Sequence, residues 1–298
     1  MYSITIDGPA GCGKSTLAKN LQKKLKAFIL VDTGAFYRWT AKLCLDNDID
    51  VNKRSEVYKF VKDKLDLTFV PYPRGHKYYS AKIYHNGEQI NKKIYGSRKV
   101  TDTSPIVAVY PKVRNLVKKQ VRQLAKKYNI IIAGRDIGTE VLPQAEVKIF
   151  LNPSVESRAR RRYRDEVKQG QSISLAKLKE SMAVRDRHDK EREHGPLKKP
   201  AGALEIDNTY YTASQTLKEA LKFIEKKIPD VYDLEPVKMT VPTKSSLDYS
   251  WGDAGTGAGL GSSFTTAEST KDLKKRLKEK YKQMTGGGSS GGGFFNKY

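Results

Sequence analysis

The chain is poor in the residues that build thiol, disulfide and metal chemistry. Its 298 residues include two cysteines, Cys12 and Cys44, and four histidines. One thiol falls in a glycine-rich loop and the other in a helical stretch, which excludes a disulfide framework and a cysteine metal site and leaves two free thiols. His188 and His194 have no metal-ligand spacing and read as surface. No apolar run approaches the roughly 20 residues a bilayer crossing needs. The first residues enter a strand pattern without a charged leader, so the expectation is a cytoplasmic protein. Acidic residues are also scarce, 33 against 56 Lys and Arg, for a net charge of +23. From residue 229 onward the balance is only +2, so about +21 sits on residues 1–228. Such an excess can mark a nucleic-acid or membrane surface. Much of it is lysine on helix faces, such as Lys118, Lys119, Lys126 and Lys127, which reads as solvated surface. Neither nucleic acid nor membrane is the expected partner.

At 38% hydrophobic content the chain is long enough for a full core in one or two domains. Its most informative stretch is Gly8-Pro9-Ala10-Gly11-Cys12-Gly13-Lys14-Ser15, between the strand-like Tyr2–Ile6 and the helix-prone run from Thr16 to Leu21. The spacing G-x-x-x-x-G-K-S lets the loop turn successive N–H groups inward onto phosphate oxygens, with the next helix aiming its positive end at the same anion. Lys14 would reach the β- and γ-phosphates and Ser15 would ligate Mg²⁺. Gly8 to Thr16 form the expected donor-binding set. A glycine-rich turn without a ligand is the bland alternative, and the strand before and helix after the loop weigh against it.

Strand-like segments at 3–6, 28–31, 130–133 and 147–151 alternate with longer helical patterns, the rhythm of a parallel sheet covered by helices. Between residues 65 and 95 alternating, aromatic-rich segments (67–70 and 78–84) flank Asn86-Gly87, which predicts a small antiparallel insertion closed by a two-residue hairpin turn. Past about residue 227 prolines (Pro229, Pro236, Pro242) and Gly/Ser-rich stretches give linker composition. One helix is expected within that tail, over 270–284, where Leu273, Leu277, Tyr281 and Met284 share a face behind Ser269 and Thr270.

A phosphate loop alone does not separate kinases from GTPases, ATPases or helicases. Two further motifs do: Asp32-Thr33-Gly34-Ala35-Phe36-Tyr37-Arg38 after the second strand, and Gly134-Arg135-Asp136-Ile137-Gly138 after the third strand-like segment. Ligands sit at the carboxyl ends of parallel strands, so both should face the crevice of the phosphate loop. With Y-P-K-V-R at 110–114, the arginine run at 158–164, R-D-R-H-D at 185–189 and P-L-K-K-P-A at 196–201, the chain over residues 2–227 resembles bacterial-type cytidylate kinases. That resemblance implies a P-loop nucleoside monophosphate kinase fold with a mobile lid (about 154–170), and ATP- and Mg²⁺-dependent phosphorylation of CMP and dCMP by a monomer. Carried over residue by residue, it implies that Arg38 and Arg135 hold the acceptor phosphate, a task suited to a planar fork. Asp136 would lie beside that phosphate. Arg114 and Arg192 would read the cytosine edge, while Arg185 and Asp189 would lie near the ribose. Thr33 and Tyr37 would line the acceptor pocket. Arg158, Arg161 and Arg162 would close over the donor and the transferring phosphoryl, with Lys14, Arg135, Asp136, Arg158 and Arg162 as the catalytic set.

Taken alone, the arginine run also fits a solvated helix face, and Arg185, Asp189 and Arg192 also fit an ion-pair ladder. One departure stands out. Pro105 occupies the place, nine residues before Arg114, where bacterial relatives usually carry a serine, and Ser104 lies next to it. Base choice therefore rests on Ser104 after a local shift or on Arg114 and Arg192, and UMP is the alternative acceptor. From a different class, the basic helix of the tail could bind an unknown partner and make the chain a scaffold.

Overall fold

The computed structural model describes residues 1–71, 81–168 and 173–237. The expected tail helix at 270–284 and residues 78–80 of the expected hairpin lie outside them. Short β-rich apolar runs become strands: β1 (Ser3–Asp7), β2 (Phe28–Asp32), β6 (Asn129–Gly134), β7 (Val147–Leu151) and β8 (Leu204–Ile206) form one sheet in the order β2-β6-β1-β7-β8, every pairing parallel. β8 was not anticipated. It is three residues long, with only Ile206 fully buried.

Both faces of the sheet are buried, which is why its strands read as continuous apolar runs rather than as alternation. On one face Ile4, Ile6, Leu30, Ile131 and Ile149 pack against Leu17 and Leu21 of α1 (Lys14–Lys24) and Ala220 and Ile224 of α9 (Ala213–Lys227). On the other, Ile29, Val31, Ile130 and Ile132 pack against Phe36 and Trp39 of α2 (Thr33–Asp46) and Val113, Val117 and Val121 of α6 (Pro111–Lys127). Each such side chain contributes about 1.5–3 kcal/mol of burial. The body does not end at residue 227 as the composition implied. Ile228 and Val231 are each 1% exposed within the first of these cores, and the Val237 N–H donates to the Lys26 carbonyl. Two apolar residues among prolines and acids made too short a pattern to register.

Between β2 and β6 the chain builds α3 (Arg54–Val61), the antiparallel β3 (Thr68–Pro71), β4 (Ala81–His85) and β5 (Glu88–Gln89), then α4 (Asn91–Tyr95) and α5 (Arg98–Ala108). Asn86 and Gly87 both take positive φ, 49° and 74°, the backbone of the expected two-residue hairpin turn. After β7 come α7 (Val155–Lys168) and α8 (Leu175–Glu191). Among the described residues no helix is long and apolar enough to cross a membrane.

Candidate active site

The loop after β1 emerges between the carboxyl ends of β6 and β7, its two sheet neighbours, which is the crevice where open parallel sheets place ligands. Gly8 follows the strand, where a Cβ would meet the Leu151 carbonyl oxygen at 2.3 Å, so only glycine fits. Lys14 then folds back over the loop: its ammonium donates to the Gly8 and Pro9 carbonyls, both at 2.7 Å, and lies 3.5 Å from Cys12 Sγ. Burial pulls the Lys14 pKa below the ordinary lysine value, with Arg135 adding to the effect and Cys12 and Asp7 opposing it. Ser15 and Thr16 are exposed on the first turn of α1. Among the described residues no group of three or more His, Cys, Asp or Glu could hold a metal ion.

Three more cations reach the same loop. Arg135 Nη1 donates to the Gly8 carbonyl at 2.9 Å, Arg158 Nη1 to Ala10 at 3.1 Å and Arg161 Nη1 to Cys12 at 3.5 Å. Arg161 Nη2 also donates to the Asn208 carbonyl at 2.5 Å, and Asn208 Nδ2 to Cys12 at 3.1 Å. Beside Gly13 and Thr16 a cavity of about 150 Å³ is lined by Arg161, Asn208, Tyr211 and Thr216.

On the other side of the crevice, arginines meet carboxylates. Asp136 is buried, 5% exposed; its Oδ2 pairs with Arg114 Nη2, and its Oδ1 lies 3.3 Å from Arg192 Nη2. Asp189 pairs with Arg135 Nε at 2.5 Å and lies 3.8 Å from Arg192. Gly195, at φ +64°, closes over this cluster: a Cβ there would sit 2.1 Å from Asp136 Oδ2 and 2.6 Å from Arg114 Nη2. Tyr37, half-buried on α2, has its phenol pKa pushed up by burial, with Arg114 and Arg192 pulling it back. Thr33 begins the same helix.

Asp32 caps that helix by accepting from the Gly34 N–H at 2.8 Å and accepts as well from the Tyr95 hydroxyl. Arg38 stacks on the Tyr95 ring, 5.0 Å from its centroid.

Thus Arg114, Arg135, Asp136, Asp189 and Arg192 converge, and Lys14, Arg135, Arg158 and Arg161 surround the phosphate loop. Others stand apart. Arg185 is exposed on α8 with no ion pair among the described residues, and Arg162 is mostly exposed and pairs with Glu166. Ser104 sits inside α5, its hydroxyl donating to the Thr101 carbonyl at 3.2 Å. Pro105, the next residue, has no N–H to give that carbonyl, so the hydroxyl repairs the helix.

Sequence reasoning missed Asp7, Tyr95, Asp186 and Asn208. Asp7 is fully buried and accepts from the Ile137 and Gly138 N–H groups at 2.9 and 2.7 Å, fixing a single π turn (Ile137–Val141) behind Arg135 and Asp136. Burial raises its pKa to about 6, against the pull of those two bonds. A carboxylate one residue before the glycine-rich loop was the available signal.

The cytidylate kinase family model matches residues 4–226. Over 225 residues the chain is 42% identical to cytidylate kinase of Bacillus licheniformis, covering 75% of this chain and 96% of that protein. It is 39% identical over 225 residues to cytidylate kinase of Bacillus subtilis, covering 76% and 97%. For the cytidylate kinase of Acholeplasma laidlawii the figures are 38% over 224 residues, covering 75% and 95%. The parallel sheet, the loop at its switch point, the antiparallel insertion and these matches agree: the chain belongs to the cytidylate kinase family, phosphotransferases of the P-loop nucleoside monophosphate kinase fold.

Proposed function

We propose that the chain transfers the γ-phosphoryl group of ATP to CMP and dCMP. Lys14, Arg158 and Arg161 exchange the loop carbonyls they now hold for donor phosphate oxygens, where positioning and charge stabilisation supply most of the catalysis. Ser15, with the donor phosphates, would hold Mg²⁺, which would supply neutralisation of charge on the donor. Arg38 and Arg135 take the acceptor phosphate, Asp136 orients Arg114 and Arg192 toward the base, and Asp189 accepts from a sugar hydroxyl. Arg162 closes from the lid. The cavity lined by Asn208 and Tyr211 takes the donor base.

The observation that carries this reading is that four cations converge on the carbonyls of one loop, while the neighbouring arginines are held by Asp136 and Asp189. A broader acceptor choice that includes UMP is the second reading, favoured by the engagement of Ser104 with Thr101 and by the missing hydroxyl at Pro105. The test is ADP release from ATP and Mg²⁺ by the full chain with CMP, dCMP, UMP, AMP and GMP supplied separately. Turnover confined to CMP and dCMP is the expected result, comparable turnover of UMP selects the second reading, and no turnover of any monophosphate overturns both.

A further inference from the structure

We infer that Asp186 is a positioning residue that holds the Arg158 guanidinium against the phosphate loop for the donor nucleotide, an inference that rests on the kinase reading above. Arg158 is 2% exposed and all three of its nitrogens are engaged. Nη1 donates to Ala10 at 3.1 Å, Nε to Pro153 at 3.3 Å and Nη2 to Asp186 Oδ2 at 2.5 Å. The first two anchors are carbonyls of the phosphate loop and of the turn leading into α7. Only Asp186 is charged, and it comes from a different helix, α8.

Packing does not fix the guanidinium from every side. A cavity of about 330 Å³ lies against the pair, lined also by Pro9, Pro153, Lys190 and Leu197. The ion pair itself therefore sets the angle of the arginine. Asp186 is 7% exposed, yet its Oδ1 is buried without a hydrogen-bond partner among the described residues. A carboxylate kept for one bond, with half its capacity unmet, is a poor stabilising device, since an apolar pair of similar volume does as well. What it does supply is a fixed, ionised fork beside the loop, where phosphoryl charge develops.

The rest of α8 agrees with this role. Met182, one turn earlier, packs its Cε on Gly11 of the loop, and Asp189, three residues later, pairs with Arg135, which reaches Gly8. One helix thus carries two carboxylates, each aiming an arginine at a different carbonyl of the same loop.

The experiment compares steady-state constants for ATP and for CMP in the full chain and in Asp186→Asn, at a temperature where circular dichroism shows both folded. The expected result is a fall of about 100-fold in kcat/KM for ATP, the usual cost of a catalytic group misplaced by about 1 Å, with the KM for CMP unchanged. If the pair is only a structural strut, the melting temperature falls while the ATP constants of the folded variant stay at the wild-type values, and the inference is overturned. A KM for CMP that rises as much as the KM for ATP overturns it too. Should Asp186→Asn fail to fold, Asp186→Glu keeps the charge but moves the fork by one methylene, and the same selective loss for ATP is expected, with wild-type constants as the overturning result. Failure of the kinase reading is separate, because it appears as absent turnover in the unsubstituted chain.

Discussion

The two halves of the crevice store their positive charge differently. Around the phosphate loop, Lys14 and Arg161 rest on backbone carbonyls and Arg158 on both a carbonyl and Asp186, whereas Arg114 and Arg192 across the crevice rest on the carboxylate of Asp136. Arg135 bridges both, bonding Gly8 on one side and Asp189 on the other. A cation on a carbonyl is held by a dipole and released cheaply to an arriving phosphate. A cation on a buried carboxylate is part of the fold, because breaking such a pair leaves an uncompensated charge. The loop half is therefore built to exchange partners, and the Asp136 half to keep them.

The sharpest way to break this contrast is to remove one holder from each half. Asp136→Asn strands buried Arg114 and should cost about 3–5 kcal/mol of stability, read as a lowered urea midpoint. Lys14→Ala should leave that midpoint nearly unchanged while lowering kcat about 100- to 1000-fold, as the loss of one preorganised donor does. If both variants unfold alike, the distinction is wrong.

Asp7 sharpens the comparison as the buried carboxylate of the loop half that holds N–H groups rather than a cation. Its folded pKa of about 6 lies above the ordinary 3.8. The contribution of the group to stability is therefore complete below about pH 4 and is lost as pH rises through 6, by at most about 3 kcal/mol. Asp7→Asn cannot ionise, so the difference between wild-type and variant denaturation midpoints should change across pH 4–7 in favour of the variant; a pH-independent difference would contradict the assignment. The smallest effect belongs to Ser104→Ala, which removes the bond to Thr101 and should cost about 1 kcal/mol in the same assay, with the KM for CMP unchanged.

Much of the frame was legible because its signals are local. Ile130, Ile131 and Ile132 announce a strand buried on both faces, and the phosphate loop carries its glycines and lysine within eight residues. β8 was illegible because three residues cannot show a period, and the packing of Ile228 and Val231 because it depends on partners elsewhere in the chain. In the site, the arginines were legible as residue types in order along the chain, but their partners were not. Asp186 meets Arg158 across 28 positions, and Tyr95 meets Asp32 across 63. No window of sequence holds both members of either pair. The departure at Pro105 was visible at once, whereas its consequence was hidden, since it lies in a side chain replacing a backbone bond within α5.

That repair has a bearing on the order in which changes in α5 can be made. Proline at 105 strips the Thr101 carbonyl of its helical donor, a loss the helix tolerates because a hydroxyl at 104 already reaches it. The two positions are thus coupled: the hydroxyl at 104 takes the place of the N–H that proline at 105 lacks. Replacing the serine alone leaves the Thr101 carbonyl to solvent, while replacing the proline restores its backbone donor and makes the serine dispensable. Engineering of this helix therefore starts best from the proline.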